Sequence, residues 1–329
     1  IRFEEEWARV CGVRRAIGVA NGLDAIEIAL RALGIGPGDE VITTPMTAFA
    51  SVLGIIRAGA TPILADIDPG TALLSPASVE RCLTPRTRAV LLVHLYGQVR
   101  EMDAWMAFAT EHGVTLIEDC AQAHLASEGG RVAGSFGPIA AYSFYPTKNL
   151  GALGDAGAVV TNDDALADHS QRLRNYGQSV RYEHPELGLN SRLDEVQAAI
   201  LSTRLGWLEE FTRRRREIAD RYFAGISNPA IGVLDRPTEP SAHVYHQFVV
   251  TCAERDRLAD HLASSGVQTL IHYPVPIHHQ PPCVDVRRDP EGLDSAEQHA
   301  RTCLSIPCQP QLTDDEVHAV IDAVNAFRL

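Results

Sequence analysis

Two nearly continuous apolar runs in the first half of the sequence constrain its fold most. They occupy residues 88–94 (RAVLLVH) and 114–119 (VTLIED), and a segment with helical spacing, residues 102–112, lies between them. Such runs are typical of strands buried on both faces of a parallel sheet. The alternation of strand and helix predicts an open α/β sheet, whose ligands bind beyond the carboxyl ends of the strands.

The same alternation continues on both sides of these runs. Further strands are predicted at residues 40–44, 61–68 and 156–161, and helices at residues 49–58, 78–83 and 164–175. A long helix is predicted from residue 191, with Ser191 and Asp194 at capping-box spacing and an apolar face that reaches Phe211. Arginines at residues 213–216 follow on this helix, and we predict a solvated face for them.

The length of the chain indicates two domains, because 329 residues are many for one hydrophobic core. We place the boundary inside the long helix. A large domain then covers residues 1–215 and a smaller one covers residues 216–329. In the smaller domain we expect a strand at residues 246–252 and helices at residues 255–264 and 314–327.

Charge and cysteine content argue against several classes of protein. A formal net charge of -13 disfavours nucleic-acid binding, which relies on Lys and Arg. Seven cysteines without a C-x-x-C pair suit reduced thiols in a cytosolic protein. No apolar run approaches the length of a membrane helix and no signal peptide opens the chain, so we expect a cytoplasmic protein. His278, His279, Cys283 and Asp285 match no metal template, and no metal is expected.

A lysine follows an aromatic strand pattern at residues 142–149 (YSFYPTKN). Lys148 lies just past the predicted strand end, and the glycine-rich residues 150–157 after it leave room for a ligand. A lysine at the dry end of a strand loses solvation, which favours the neutral amine and makes it a nucleophile toward carbonyls. The alternative is a solvated loop charge beside the strand.

Two further positions are candidates for ligand binding. Gly22 lies just inside a helix start capped by Asn21, and the bare N–H groups of such a start can bind phosphate. Asp119 ends a buried strand, so its carboxylate is expected to point into the crevice proposed for Lys148. The alternatives are an ordinary capped helix and a helix-capping aspartate.

Four sequence blocks together resemble the nucleotide-sugar aminotransferases that depend on pyridoxal phosphate, the DegT/DnrJ/EryC1/StrS family. The blocks are residues 18–25 (GVANGLDA), 118–124 (EDCAQAH), 143–155 (SFYPTKNLGALGD) and 188–199 (GLNSRLDEVQAA). The resemblance implies a fold-type I aminotransferase with a mostly parallel seven-stranded sheet sandwiched by helices and a smaller α+β C-terminal domain. It also implies a homodimer with active sites at the interface.

The resemblance assigns roles toward the cofactor, pyridoxal 5'-phosphate (PLP). Lys148 matches the lysine that forms a Schiff base, and Asp119 matches the carboxylate that pairs with the pyridine nitrogen. The other matches are Gln122 near the phenolic oxygen, Ser143 and the backbone of Gly22 and Leu23 at the phosphate, Asn190 at the phosphate from the partner subunit, and Arg192 at the carboxylate of the amino donor.

The roles follow from the chemistry of an electron sink, which a protonated ring nitrogen strengthens. Opposite unit charges about 4 Å apart attract by about 4 kcal/mol at an effective dielectric of about 20, which is enough to favour that proton. The chain departs from the family in three places. Leu125 follows His124 where glycine is common. Leu23 lacks the hydroxyl that many members have there. Thr47 is followed by Ala48 and then Phe49, where members have a Thr-aromatic pair, so the residue that stacks on the cofactor stays open.

The resemblance implies amino transfer from L-glutamate to a keto-deoxysugar linked to a nucleoside diphosphate, with the C3 carbonyl favoured over C4. One alternative acceptor is a keto-inositol or another cyclic ketone. A second alternative is a PLP-binding regulatory protein without catalysis, although the retention of Lys148, Asp119 and Gln122 counts against it. A third is a nicotinamide-binding domain, but the glycines after Lys148 do not follow G-x-G-x-x-G at a helix start.

Overall fold

A seven-stranded sheet forms the centre of the protein, and the computed structural model describes residues 1–328. The strands in chain order are β1 (Arg15–Val19), β2 (Glu40–Thr43), β3 (Thr61–Leu64), β4 (Thr87–Val93), β5 (Thr115–Asp119), β6 (Ser127–Glu128), β7 (Arg131–Val132), β8 (Ile139–Ser143), β9 (Gly157–Thr161), β10 (Gly232–Val233), β11 (Phe248–Thr251) and β12 (Cys303–Ile306). The helices are α1 (Arg2–Cys11), α2 (Gly22–Ala32), α3 (Phe49–Arg57), α4 (Pro76–Cys82), α5 (Met102–His112), α6 (Asp164–Leu173), α7 (Glu195–Leu205), α8 (Leu208–Gly225), α9 (Arg255–Ser264), α10 (Asp294–Thr302) and α11 (Asp314–Ala326).

The central sheet has the strand order β1-β9-β8-β5-β4-β2-β3. Strands β3, β2, β4, β5 and β8 pair in parallel, whereas β9 is antiparallel to both β8 and β1. Asp119, the last residue of β5, is in register with Val93 on one side and Ala141 on the other. The predicted mostly parallel seven-stranded sheet is therefore confirmed, and Asp119 lies at the middle of its carboxyl edge.

Helices cover both faces of this sheet, because successive residues of a strand point to opposite faces. Val90 and Leu92 of β4 pack into one core together with α1 and α5. Ala89 and Leu91 of the same strand pack into a second core with α2 and α6. This two-sided burial explains why the sequence of β4 is apolar at nearly every position.

A smaller antiparallel sheet, β10-β11-β12, follows α8. Its strand β11 shares a core with α8, α9 and α11 through Phe248, Tyr222, Leu258 and Val320. The α+β character expected for the C-terminal part is thus present, and the proposed boundary at residue 215 falls within α8 and stays a prediction. Within residues 1–328, no helix combines the length and apolar character that a bilayer span requires.

The prediction of one long helix from residue 191 is wrong. The helix begins at Glu195, and the Ser191 hydroxyl accepts a hydrogen bond from the backbone N–H of Ala20 (3.1 Å) instead of capping it. Gly206, a weak helix former, lies between α7 and α8, which are separate helices. The break lets Leu208 pack into the core while Val196 stays exposed.

The prediction of a solvated arginine face at residues 213–216 holds for the exposed Arg213 but is wrong for Arg215 and Arg216. Arg215 is buried and its Nη1 donates to the carbonyl oxygens of Tyr245 (3.0 Å) and Cys308 (2.9 Å). Arg216 donates to the carbonyl oxygens of His243 and Ser241, both at 2.9 Å. These arginines bind the backbone of the C-terminal part of the chain, so their charge is used for packing rather than for solvation.

Candidate active site

The carboxyl edge of the central sheet opens into a cavity of about 390 Å³. Six of the side chains or backbone positions proposed from the sequence line it, although they come from three separate parts of the chain. They are Gly22, Leu23, Asp119, Gln122, Ser143 and Lys148. The parallel pairing of β5 with β8 produces this convergence, because it places the ends of both strands at the same edge.

Lys148 lies in a turn just after β8, where its backbone N–H donates to the carbonyl oxygen of Tyr145 (2.8 Å). The side chain is partly buried among apolar and polar walls of the cavity. Burial lowers the pKa of Lys148 to about 8, and the nearby negative charge of Asp119 opposes the shift. A large fraction of the amine is therefore neutral at mildly alkaline pH, as a nucleophile requires.

Asp119 is buried, with 4% of its surface exposed, and both carboxylate oxygens have protein donors. The Ser51 hydroxyl donates to Oδ2 (2.7 Å) and the backbone N–H of Ala121 donates to Oδ1 (3.1 Å). The next helix in the chain, α6, begins only at Asp164, so Asp119 does not cap a helix. Each oxygen keeps a lone pair that can accept a further donor from the cavity.

Gln122 has its side-chain amide fixed in one orientation. Its Oε1 accepts from the backbone N–H of Tyr96 (2.6 Å), and its Nε2 donates to the Tyr273 hydroxyl (3.2 Å). Because the carbonyl end is occupied by Tyr96, the amide presents N–H donors on its other side. A donor at this position suits an electronegative oxygen on a ligand.

The first turn of α2 also lines the cavity, next to Ser143. Asn21 caps this helix by accepting from the backbone N–H of Asp24 (2.8 Å). The N–H groups of Gly22 and Leu23 have no acceptor among residues 1–328, which leaves them free for an anion. A Cβ on Gly22 would lie 2.6 Å from the Ser143 Cβ, so the close approach of these two segments depends on glycine.

These features fit PLP. The free N–H groups at a helix start and the Ser143 hydroxyl suit its phosphate, the buried Asp119 carboxylate suits its ring nitrogen, and the Lys148 amine suits its aldehyde. Ala48 lines the cavity, whereas Phe49 packs against a separate apolar cluster that includes Met46 and Val52. Neither Ala48 nor Phe49 therefore brings an aromatic ring into the cavity. Tyr145 is an aromatic side chain in the lining of the cavity.

Two of the proposed site residues lie outside this cavity. The Arg192 guanidinium donates to the side-chain oxygens of Asn190 (2.8 Å) and Asn175 (3.3 Å), and it lies over the Tyr176 ring. Both Asn190 and Arg192 are exposed. The role of Asn190 at the phosphate and the role of Arg192 at the carboxylate of the amino donor therefore stay predictions.

Sequence reasoning missed several residues around the cavity. Ser51 lines it beside Asp119, as does Thr47, which sequence reasoning considered only for the aromatic residue expected after it; their i, i+4 spacing was the available signal. Tyr273 arrives from the C-terminal part of the chain, and burial beside Asp119 raises the pKa of its hydroxyl to about 12. Burial, together with the nearby charge of Lys148, lowers the pKa of His246 well below its usual range. Nothing in the local sequence pointed to the last two residues.

Within residues 1–328 the structure brings together two groups of metal-type ligands, namely His94, Glu118 and Cys120, and His278, His279 and Glu297, and hydrogen bonds join members of each group. Glu118 accepts from the backbone N–H groups of Gly134 (2.7 Å), Phe136 (2.8 Å) and Gly137 (2.9 Å), and His94 Nε2 lies 2.9 Å from its Oε2. His278 and His279 both lie near Glu297, at 3.2 and 3.7 Å. The expectation that the protein needs no metal stays a prediction.

The sheet, its flanking helices and the cavity at its carboxyl edge define a fold-type I aminotransferase. The model of the DegT/DnrJ/EryC1/StrS aminotransferase family matches residues 1–325, and the chain belongs to this family. The family depends on PLP, so the cofactor inferred from the sequence is confirmed.

Three known proteins illustrate the similarity. The chain is 47% identical to a dTDP-3-amino-3,4,6-trideoxy-alpha-D-glucose transaminase of Streptomyces venezuelae, over 99% of this chain and 86% of the relative. It is 43% identical to a pleiotropic regulatory protein of Geobacillus stearothermophilus, over 99% of this chain and 88% of the relative. A crystal structure of DesV from S. venezuelae in complex with a ketimine intermediate superposes with a TM-score of 0.94 at 45% identity, covering 98% of this chain and 87% of that one.

Proposed function

We propose that this protein is a PLP-dependent aminotransferase that moves an amino group from L-glutamate to a keto-deoxysugar carried on a nucleoside diphosphate. The observation that carries the proposal is one cavity that holds the Lys148 amine, the Asp119 carboxylate and the free N–H groups at the start of α2. The name of the S. venezuelae transaminase supports a dTDP-sugar acceptor and, within it, the C3 carbonyl over C4.

Each side chain of the cavity has its own role in the proposed reaction. Bound PLP supplies an electron sink for the carbanion at the substrate carbon. Lys148 would hold the cofactor at rest, and its Nζ would serve as the general base and acid that moves a proton between carbon atoms. Asp119 would keep a proton on the ring nitrogen, Gln122 would donate to the phenolic oxygen, and the N–H groups of α2 would bind the phosphate.

Lys148 is the single lysine among the 329 residues, which makes its role directly testable. PLP followed by borohydride should add one cofactor to the peptide that contains Lys148, as read by mass spectrometry. Lys148→Ala should add none there and should lack turnover. If the Ala variant transaminates at the normal rate, or if the label lies on another residue, the proposal is wrong.

The acceptor is tested with L-glutamate and a panel of ketones, while 2-oxoglutarate formation is measured. We expect turnover with a dTDP-3-keto-deoxysugar and at least tenfold less with its 4-keto isomer or a keto-inositol. A protein that binds PLP and yields no 2-oxoglutarate with any ketone would instead support a regulatory role, which the name of the G. stearothermophilus relative keeps as a second candidate.

We also propose that the protein is a homodimer in which each active site contains residues of both subunits. The segment before Asn190 exposes the apolar side chains of Val180, Tyr182 and Leu187, with 57%, 78% and 87% of their surface accessible. Clustered exposed apolar groups are typical of interaction surfaces. A second subunit covering them would bring Asn190 and Arg192 to the neighbouring cavity.

Subunit mixing tests this arrangement. Lys148→Ala and Asn190→Ala should each lose activity as homodimers, since every site then lacks one group. A mixed dimer contains one site with both native residues, so activity should return on subunit exchange. The absence of any recovery in verified mixed dimers would show that Asn190 does not act across the interface.

A further inference from the structure

Two buried hydroxyls lie beside Asp119 in the lining of the cavity. Ser51, in the first turn of α3, donates to Asp119 Oδ2 (2.7 Å), and Thr47 Oγ1 lies 2.7 Å from Ser51 Oγ. Ser51 is 1% exposed and Thr47 is 4% exposed. The three side chains therefore form a buried row that ends at the carboxylate.

The direction of the hydrogen bonds in this row follows from hydrogen counting. A carboxylate has no hydrogen to give, so the single Ser51 hydrogen is used on Asp119. The 2.7 Å contact between Thr47 and Ser51 must then have the Thr47 hydroxyl as its donor. Both hydroxyls point their hydrogens toward the negative charge, which polarises the row in one direction.

We propose that Ser51 is a positioning residue for Asp119. Its hydroxyl, which accepts a hydrogen bond from Thr47, holds Asp119 as a carboxylate with its free lone pairs toward the cavity. In this way Ser51 helps to keep the proton on the ring nitrogen of the cofactor. This inference rests on the proposed function. A donor to the charged form of an acid favours that form and weakens it as a proton acceptor. Without Ser51, Asp119 competes more strongly with the ring nitrogen for the shared proton.

The test measures directly whether the ring nitrogen of the cofactor carries a proton. Holoenzyme is prepared with PLP labelled with nitrogen-15 in the ring, and the resonance of that nitrogen is recorded, because its position differs strongly between protonated and unprotonated rings. Ser51→Ala should move the resonance toward the unprotonated value, and Thr47→Val should move it less in the same direction. Ser51→Thr, which restores a hydroxyl, should return it toward the wild-type position.

The chain offers a matched control in a second buried serine–aspartate pair. The Ser78 hydroxyl donates to Asp289 Oδ2, both residues are buried, and neither lines the cavity. Ser78→Ala should lower thermal stability as Ser51→Ala does, but leave the nitrogen resonance unchanged. In single turnovers we expect Ser51→Ala to slow proton transfer about tenfold, or about 1.4 kcal/mol, and Ser78→Ala to leave it unchanged.

The outcomes separate this inference from the function it rests on. An unshifted resonance in folded Ser51→Ala holoenzyme, with a shifted one in Asp119→Asn, rejects the role of Ser51 alone. An equal shift in Ser78→Ala would reject it as well, because a general loss of stability would then explain the change. If Asp119→Asn leaves the resonance unchanged, the role of Asp119 and the proposed function fail together.

Discussion

His246 Nδ1 lies 3.1 Å from Asn149 Oδ1, and this contact joins the C-terminal part of the chain to the residue directly after Lys148. Because an amide oxygen only accepts, His246 must carry its hydrogen on Nδ1. Asn149 Nδ2 donates in turn to the carbonyl oxygen of Val244 (3.3 Å). Asn149 and His246 are both buried, so the turn that presents Lys148 is held from two sides by residues near 245.

Asn149→Ala should therefore destabilise the apoprotein and loosen the lysine turn. It leaves the His246 N–H and the Val244 carbonyl unpaired in a buried place, which costs about 1–3 kcal/mol. Urea unfolding measures this change. Asn162→Ala is the control, because the exposed Asn162 accepts from the Arg14 N–H where water can replace it. Equal losses in the two variants would contradict the role of the His246 contact.

The reactivity of Lys148 should depend on pH with a midpoint near its lowered pKa of about 8. Below that pH the amine is protonated and has no lone pair, so the rate of PLP capture by apoprotein should rise with pH and level off above it. Stopped-flow absorbance measures the rate. N-acetyl-lysine amide, with a pKa of about 10.4, should show its rise about two units higher. A protein midpoint that coincides with the free amine would contradict the effect of burial.

The same shift predicts how apoprotein stability responds to pH. The pKa of Lys148 is about 8 in the folded protein and its ordinary value is 10.5, so the unfolded chain binds the proton more tightly. The free energy of unfolding should then rise between about pH 8 and pH 10.5, as the unfavourable folded ammonium disappears. Lys148→Met should lack this part of the pH dependence in urea unfolding. Superimposable profiles of wild type and Lys148→Met would count against the prediction.

Gly22→Ala should impair cofactor binding more than folding. The new methyl group would lie 2.6 Å from the Ser143 Cβ and push α2 away from β8, at an overpacking cost of about 1–3 kcal/mol. Equilibrium dialysis should show weaker PLP binding, since both segments contribute to the phosphate site. Gly36→Ala is the control, because its Cβ would meet the Ala58 carbonyl oxygen at 3.4 Å and lies outside the cavity. PLP affinity unchanged in Gly22→Ala would refute the close-approach argument.

Arg215→Ala should lower the stability of the protein far more than Arg213→Ala, although the two arginines are only two residues apart. Arg215 serves three buried carbonyl oxygens, and their loss of a charged donor should cost about 1–3 kcal/mol or more. Arg213 is 63% exposed and pairs with Glu217 on the surface of α8, where ion pairs contribute about 0–1 kcal/mol. Thermal unfolding of the two variants tests the difference, and equal melting temperatures would be the contrary result.

Much of the architecture was predictable because the periodic patterns are strong. The apolar run of β4 and the cap at Asn21 identified a two-sided sheet and the start of α2, and both are present. The break at Gly206 was not predictable from periodicity, since the apolar spacing continues across it. The environment of Arg215 was hidden for a different reason, because its carbonyl partners lie 30 to 93 residues away in sequence.

The sequence by itself determined the chemistry available to this protein: a lysine and an acid at the ends of buried strands, and a helix start with bare N–H groups. Their order in the chain and their local patterns were enough to identify the family. Only the tertiary structure decided the surroundings of these groups. It brought three pairs of residues within hydrogen-bond distance: Ser51 and Asp119, Tyr273 and Gln122, and His246 and Asn149. Such contacts arise from packing between distant segments, and no local pattern in a chain encodes which distant partner will meet it.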